Sequence, residues 1–357
     1  VKFLVLALSD TLELYNYLFG EENCIVHQVD FQPFDKNAER ERLSDTLRAH
    51  NDIAFLGGER LGDMAINLGL TRPNWYYDLD LQRFLNVFGL GRLPFPFIHV
   101  DSYDYFNTLF NTGTFRERDL VLKGQCQHGH FSDKGLTRRK KVLWYPYWLG
   151  WKRTLTTLVQ DWTNVFQPTE KYSVCFHGTS ATWKPRKKLV ELVNEAFDDV
   201  CAEVVSRCDG GNRVAPADYV KLILSSDVCL NMRGNGVLTI RFFEILRHGQ
   251  FCLTDRCLLD GCYWPVSPRG SERFGRCCGE YEDIGTVVAE CRYWLEHPDE
   301  RAEVARNGAE FWRCLYSPDA LRVYGRKFLE GYCSGELEFV LAQYLSEVGG
   351  ANPVEMV

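Results

Sequence analysis

The sequence predicts an α/β protein of two parallel sheets, each with helices on both faces, and three observations carry that prediction. Apolar runs of strand length alternate with longer segments of helical periodicity, the pattern that parallel pairing requires. The alternation lapses between Gly113 and Pro168 and then restarts, giving two α/β halves of similar size. The chain has 357 residues, 45% of them hydrophobic and 14% aromatic, enough for two domains with sizeable cores. Two facing Rossmann-like domains satisfy all three observations. The expected spans are an N-terminal Rossmann-like domain over 1–168, a C-terminal Rossmann-like domain over 169–318, and a helical segment over 319–357 that crosses back to the first domain.

The elements follow in order. VKFLVLALSD opens as an unbroken apolar strand, as a strand covered on both faces must be, and runs into the helix TLELYNYLFG that closes at Gly20. CIVHQVDF is a second strand, AERERLSDTLRAH a charged amphipathic helix, and DIAFLGG a third strand ending in two glycines. FPFIHVDSYD is a further strand that ends in acidic and hydroxyl groups. DLVLKGQC and the aromatic stretch VLWYPYWLGWKR read as the end of the first domain and a linker. In the second half KYSVCFHG, CAEVVSRC, VCLNMRG and FCLTD are strands. KPRKKLVELVNEAFDD and PADYVKLILSSD are helices between them. The tail holds HPDERAEVARNGAEFWRCL and SPDALRVYGRKFLEGYC, both helical, the second opened by Ser317-Pro318-Asp319.

Composition excludes several classes. A formal net charge of -7 gives no global attraction to nucleic acid or anionic membrane, leaving the run Arg138-Arg139-Lys140-Lys141 as a local basic patch. Fourteen cysteines invite a disulfide framework, yet there is no CxxC pair and no N-x-S/T acceptor. Cys175, Cys229 and Cys252 sit inside apolar runs, where a thiol acts as a small hydrophobe. Adjacent Cys277-Cys278 and the nearby Cys257 and Cys262 are the places for a local bridge or metal, without zinc-type spacing. No stretch is apolar and long enough to span a membrane and no signal peptide opens the chain, so a reduced, cytoplasmic protein is expected. Because the first residue is Val, a processed form, a piece of a longer protein and peripheral membrane attachment stay open.

In a doubly wound sheet, ligands bind outside the carboxyl ends of strands, near helix N-termini. Arg233–Asp255, RGNGVLTIRFFEILRHGQFCLTD, meets that condition. Gly234, Asn235 and Gly236 form a turn that lets a ligand approach the backbone, and Thr239 stands where it can cap the next helix. On that helix Arg241, Glu244 and His248 share one stripe, while Ile240, Phe242, Phe243, Ile245 and Leu246 cover the rest. A guanidinium suits a diphosphate and a carboxylate suits paired ribose hydroxyls. A plain solvent-facing stripe would read the same way. FHGTSATWKPRKK supplies Gly178, Thr179 and Ser180 after a strand, then Arg186 and Lys187 on a helix. Asp101 and Asp104 end the strand before SYDYF. Ser9, Asp10, Gly57, Gly58 and Glu59 end the first and third strands.

The arrangement of Ser226-Asp227, Leu230, Gly234, Gly236, Arg241, Glu244, Gly249 and Asp255 resembles the C-terminal donor-binding region of GT-B glycosyltransferases. It is most similar to the exostosin and spore-maturation families. Asn307, Gly308 and Arg322, in ARNGAEFW and SPDALRVYGRKFLE, resemble the closing helices of those enzymes. The likeness covers about 170–330 and is architectural before that. It implies a hexosyl- or pentosyltransferase that uses a UDP- or GDP-linked sugar and needs no cofactor or metal. The donor would meet Gly178, Thr179, Arg186, Arg233, Asn235, Gly236, Thr239, Arg241 and Glu244, with Arg241 and Arg186 on the diphosphate and Glu244 on the ribose.

By the same resemblance the N-terminal domain presents an acceptor hydroxyl, lined by Ser9, Asp10, Gly57, Gly58 and Glu59. Asp101 is the preferred general base for an inverting transfer, with Asp104 sharing the role or capping the next helix and Glu59 in reserve. A glycan is the first acceptor. A hydroxylated DNA base is the alternative, since phage DNA glucosyltransferases have a similar strand-then-Asp arrangement. A non-catalytic sugar-nucleotide binder is the other rival. Asp78-Leu79-Asp80 spells the metal motif of the other glycosyltransferase fold but follows no clear strand. His128 and His130 lack a third ligand at suitable spacing.

Overall fold

The computed structural model describes residues 2–7, 16, 18–28, 36–50, 53–58, 96–101, 120–123, 142–144, 171–179, 185–205, 215–233, 239–261 and 264–349. The chain divides into two compact units, Val1–Leu155 with Leu321–Leu329, and Thr156–Ala320 with Glu330–Val357.

The first unit is built on a six-stranded sheet of order β2-β1-β3-β4-β5-β6, parallel throughout. Its strands are β1 (Lys2–Ala7), β2 (Cys24–Gln28), β3 (Ile53–Gly58), β4 (Phe97–Asp101), β5 (Leu120–Lys123) and β6 (Val142–Trp144). The apolar run of β1 lies between β2 and β3, with Phe3, Leu4 and Val5 fully buried. Helix α1 (Lys36–Ala49) is the charged amphipathic segment, and Leu43 is its buried contact. Gly20 takes φ 88 with ψ 137, a backbone conformation that favours glycine, where the preceding helical turn ends. Strands β5 and β6 lie in the region that the periodicity left as domain end and linker. They are four and three residues long, too short to show a period of their own.

The second unit has a five-stranded sheet of order β11-β10-β9-β7-β8, again parallel. Its strands are β7 (Tyr172–Thr179), β8 (Val200–Val205), β9 (Ser226–Asn231), β10 (Cys252–Asp255) and β11 (Gly279–Tyr281). Between them run α2 (Pro185–Ala196), α3 (Pro216–Leu224), α4 (Ile240–Arg247), α5 (Arg256–Gly261) and α6 (Val287–Glu296). One face of the sheet buries Val174, Phe176, Leu230 and Leu253 against Leu189 and Val193 of α2 and Val287 and Trp294 of α6. Cys201, Cys175, Cys229 and Cys252 stand in register on four neighbouring strands. Every cysteine among the described residues is a free thiol. Cys277 and Cys278 point their thiols at the carbonyls of Gly275 and Pro268.

The chain ends in α7 (Pro298–Leu315), α8 (Pro318–Ser334) and α9 (Leu337–Gly349). Ser317 caps α8, its Oγ accepting from the Ala320 N–H at 3.2 Å. Gly308 of α7 lies against Leu246 of α4, where a Cβ would come within 2.8 Å of the Leu246 side chain and 2.6 Å of the Cys277 carbonyl oxygen. The glycine singled out in ARNGAEFW thus lets α7 press against α4 from behind. No described helix is long and apolar enough to cross a membrane.

Candidate functional site

Strand β7 is first in its unit, with β8 on one side and β9 on the other. The chain therefore leaves β7 and β9 in opposite directions, which opens a crevice outside their carboxyl ends. Helix α4 starts there. Its apolar residues Phe242, Phe243, Ile245 and Leu246 are buried, while Arg241, Glu244 and Arg247 are partly exposed and His248 is buried. The helix ends because Gly249 takes φ 67, allowing the Gln250 N–H to reach the Ile245 carbonyl at 3.2 Å.

The Arg241 guanidinium is held on three sides. Its Nε donates to the Tyr219 hydroxyl of α3 at 3.0 Å, its Nη2 donates to the His177 carbonyl at the end of β7, and its plane lies over the Phe176 ring, 4.6 Å from the centroid. Gly178 makes room for this, since a Cβ there would lie 3.0 Å from Arg241 Nη2. Nη1 is buried and has no hydrogen-bond partner among the described residues. One turn along, Glu244 is partly exposed, yet burial beneath the surrounding protein pushes its pKa up to about 7, with Arg241 and Arg247 opposing the rise. Among the described residues its carboxylate makes no hydrogen bond or ion pair. A cationic donor and a carboxylate, both unsatisfied by the described protein, thus sit one helical turn apart at the switch point of the sheet.

The loop between β9 and α4 is fastened at its base. Asn231 ends β9 fully buried. Its Oδ1 accepts from Thr239 Oγ1 at 2.5 Å, its Nδ2 donates to Thr254 Oγ1 at 2.9 Å, and its carbonyl accepts from the Tyr281 hydroxyl at 3.2 Å. Thr239 occupies the N-cap position of α4 by its backbone, but its hydroxyl makes no capping bond. The buried Asn231 acceptor takes that hydroxyl instead, closing the two ends of the loop together.

Arg186, on the first turn of α2, is only 5% exposed. Its Nη2 donates to the carbonyls of Met232 and Arg233, each at 3.0 Å. Burial, then the neighbouring Arg241 charge, lowers its pKa to about 10, so it remains a cation at neutral pH. Asp255 accepts from the Arg233 N–H at 2.7 Å and from the Leu258 N–H at 2.9 Å, the latter capping α5. His177 places its Nδ1 3.9 Å from Glu203, and its pKa is lowered mainly by burial.

Of the residues expected from the sequence, the structure brings Gly178, Arg186, Arg233, Thr239, Arg241 and Glu244 together around the ends of β7 and β9. Thr179 ends β7, Gly57 and Gly58 end β3, and Asp101 ends β4. Ser9, Asp10, Glu59, Asp104, Asn235 and Gly236 lie outside the described residues, as do Asp78, Asp80, His128, His130, Cys262 and the basic run at 138–141. Among the described residues no group of three or more His, Cys, Asp or Glu side chains is placed to hold a metal. Tyr219, Asn231, Thr254, Tyr281 and the Phe176 ring were missed by sequence reasoning. Each acts through a partner far along the chain, so local pattern carries no signal for them.

A family model described as glycosyl transferase-like matches residues 159–320. A search of curated proteins gave no match. Among solved structures the chain is similar to HepE from Anabaena in complex with UDP, at 9% identity and a TM-score of 0.51 over 93% of this chain and 100% of that one. The same protein in complex with UDP-glucose matches at 9% identity and a TM-score of 0.50, over 92% and 99%. Sucrose-phosphate synthase from Thermosynechococcus elongatus matches at 10% identity and a TM-score of 0.50, over 88% of this chain and 85% of that one. Residues 159–320 are thus similar to the glycosyl transferase-like family, and the chain shares the GT-B fold of these solved structures.

Proposed function

We propose that the chain is a glycosyltransferase that takes a sugar from a nucleotide-diphosphate donor and passes it to a hydroxyl acceptor. One observation carries the reading: the buried Arg241 Nη1 and the Glu244 carboxylate, neither with a hydrogen-bond partner among the described residues, stand one turn apart beside the ends of β7 and β9. A nucleoside diphosphate satisfies both, with a phosphate oxygen on the guanidinium and the ribose hydroxyls on the carboxylate. The UDP and UDP-glucose held by the Anabaena protein support a UDP-sugar as the first donor to try, with GDP-sugars next.

As the glycosidic bond breaks, negative charge grows on the leaving diphosphate. Arg241, with Arg186 behind it, places fixed positive charge where that charge develops. The reading makes the reaction inverting, from the exostosin resemblance, and metal-independent, because guanidinium groups take the part of a cation. Asp101, or Asp104 beside it in sequence, is the assigned base for the acceptor hydroxyl, and a glycan is the assigned acceptor.

The test is a thermal-shift and calorimetric screen of UDP- and GDP-sugars, with and without EDTA. Wild-type protein is expected to be stabilised by one nucleotide series, equally in EDTA, with the shift lost in Glu244→Ala and Arg241→Met. If neither series shifts the wild type, the reading is wrong. Donor hydrolysis or transfer that disappears in Asp101→Asn but leaves donor binding intact would place the base there; loss in Asp104→Asn alone would move it.

A further inference from the structure

We infer that Tyr219 is a positioning residue for the donor diphosphate: together with the His177 carbonyl and the Phe176 ring, it fixes Arg241 so that Nη1 is the edge presented to a phosphate. The inference rests on the nucleotide-sugar reading of the site. A free arginine side chain loses much rotamer freedom when a ligand immobilises it. Here that ordering is already done by the protein. Nε is taken by the Tyr219 hydroxyl at 3.0 Å, Nη2 by the His177 carbonyl, and the flat face by Phe176, 4.6 Å from the ring centroid. Gly178 leaves no side chain in the way of Nη2. The remaining nitrogen, Nη1, is buried and without a hydrogen-bond partner among the described residues.

The residue type matters. A carboxylate at position 219 would also accept from Nε, but it would cancel the charge needed for phosphate. Burial keeps the Tyr219 phenol protonated, so it orients the cation without neutralising it. A phenol is therefore suited to hold a guanidinium whose charge is reserved for a ligand.

The experiment is calorimetric binding of UDP-glucose, UDP and uridine, with GDP and guanosine in parallel, to wild type, Tyr219→Phe, Arg241→Met and the double variant. Tyr219→Phe is expected to weaken the nucleoside diphosphate about tenfold and the nucleoside less than about twofold, since the nucleoside lacks the group that Arg241 holds. In the Arg241→Met background Tyr219→Phe should add nothing for the diphosphate. Equal losses for diphosphate and nucleoside, or additive losses in the double variant, would reduce Tyr219 to packing. Wild-type affinity in Tyr219→Phe, with Arg241→Met impaired, would overturn this inference and leave the parent reading standing. Failure of every nucleotide to bind wild type would remove both. Where Tyr219→Phe lowers the melting temperature, the additivity comparison still separates positioning from packing.

Discussion

Arg186 and Asp255 grip the same residue from opposite sides. Arg186 Nη2 donates to the Arg233 carbonyl at 3.0 Å, and Asp255 Oδ2 accepts from the Arg233 N–H at 2.7 Å. Arg233 is the first residue of the glycine-rich segment, so its peptide groups set the exit direction of the loop from the sheet. The sequence reading placed Arg186 on the donor diphosphate. Its geometry gives it a backbone task at the same place, while its charge still adds to the positive field around Arg241.

Breaking this grip should destabilise the second unit and weaken donor binding together. Asp255→Ala strands the N–H groups of Arg233 and Leu258, at about 1–3 kcal/mol for each buried group left unsatisfied. Arg186→Met strands the carbonyls of Met232 and Arg233, at a similar cost. Because both act on one peptide, the double variant should lose less than the sum of the two, by at least about 0.5 kcal/mol. Urea unfolding of the four proteins measures this, and strict additivity would show that the two side chains act independently.

Glu244 should make both stability and donor affinity depend on pH, in opposite directions. Its folded pKa of about 7 lies above the ordinary glutamate value of 4.5. Between those values the folded state holds the proton that the unfolded state has released. Stability is therefore full below pH 4.5, falls as pH rises towards 7, and is flat above. The drop is of order 1–3 kcal/mol, below the full value of the shift because the side chain is partly exposed. Glu244→Gln should accordingly be more stable than wild type at pH 8, with the difference vanishing near pH 4.5. On the proposed reading, donor binding needs the ionised carboxylate as acceptor. UDP-glucose, whose phosphates carry constant charge over this range, should bind wild type about tenfold more tightly at pH 8 than at pH 6. Glu244→Gln should bind it weakly and without that slope.

Thr239 tests whether the loop closure matters for the ligand more than for the fold. Thr239→Val keeps the shape but removes the hydroxyl donated to the buried Asn231 Oδ1. The stranded acceptor should cost about 1–3 kcal/mol in unfolding free energy. Nucleotide affinity should also fall severalfold, because the loop ends are no longer tied. Thr239→Ser retains the hydroxyl and should retain most of both. A Thr239→Val protein with full nucleotide affinity would show that the closure serves only the fold.

How much of this could be read beforehand depends on how far each interaction reaches along the chain. Strands β1 to β4 and β7 to β10 announced themselves because parallel strands covered on both faces are continuous apolar runs. Strands β5, β6 and β11 span only three or four residues, and pairing with neighbours, not sequence, decides them. Arg241 and Glu244 were legible because they share a helical stripe. Their placement was not, since Tyr219 lies 22 residues from Arg241 and His177 lies 64 residues away. The Thr239 hydroxyl shows the limit of local rules. Capping is the usual role of such a residue, and a buried acceptor on the neighbouring strand outcompeted it.

Gly325 predicts a large loss of stability from a single methyl group. It lies in the part of α8 that belongs with the first unit. There a Cβ would overlap the carbonyl of Leu18. Leu18 and Phe19 are buried, Phe19 stacks on Phe3 of β1 at 4.1 Å, and Phe328 lies 6.0 Å from Phe19. The obstruction is backbone with aromatic packing behind it, so no flexible side chain can swing aside. Alanine has the better helix propensity, worth about 1 kcal/mol in its favour, but overpacking against a fixed peptide costs about 3 kcal/mol or more. Gly325→Ala should therefore unfold at distinctly lower urea, whereas Gly335→Ala, where a Cβ meets nothing within 4 Å but φ is +78, should lose only about 1 kcal/mol. A Gly325→Ala protein as stable as wild type would mean that α8 does not pack on Leu18 as described.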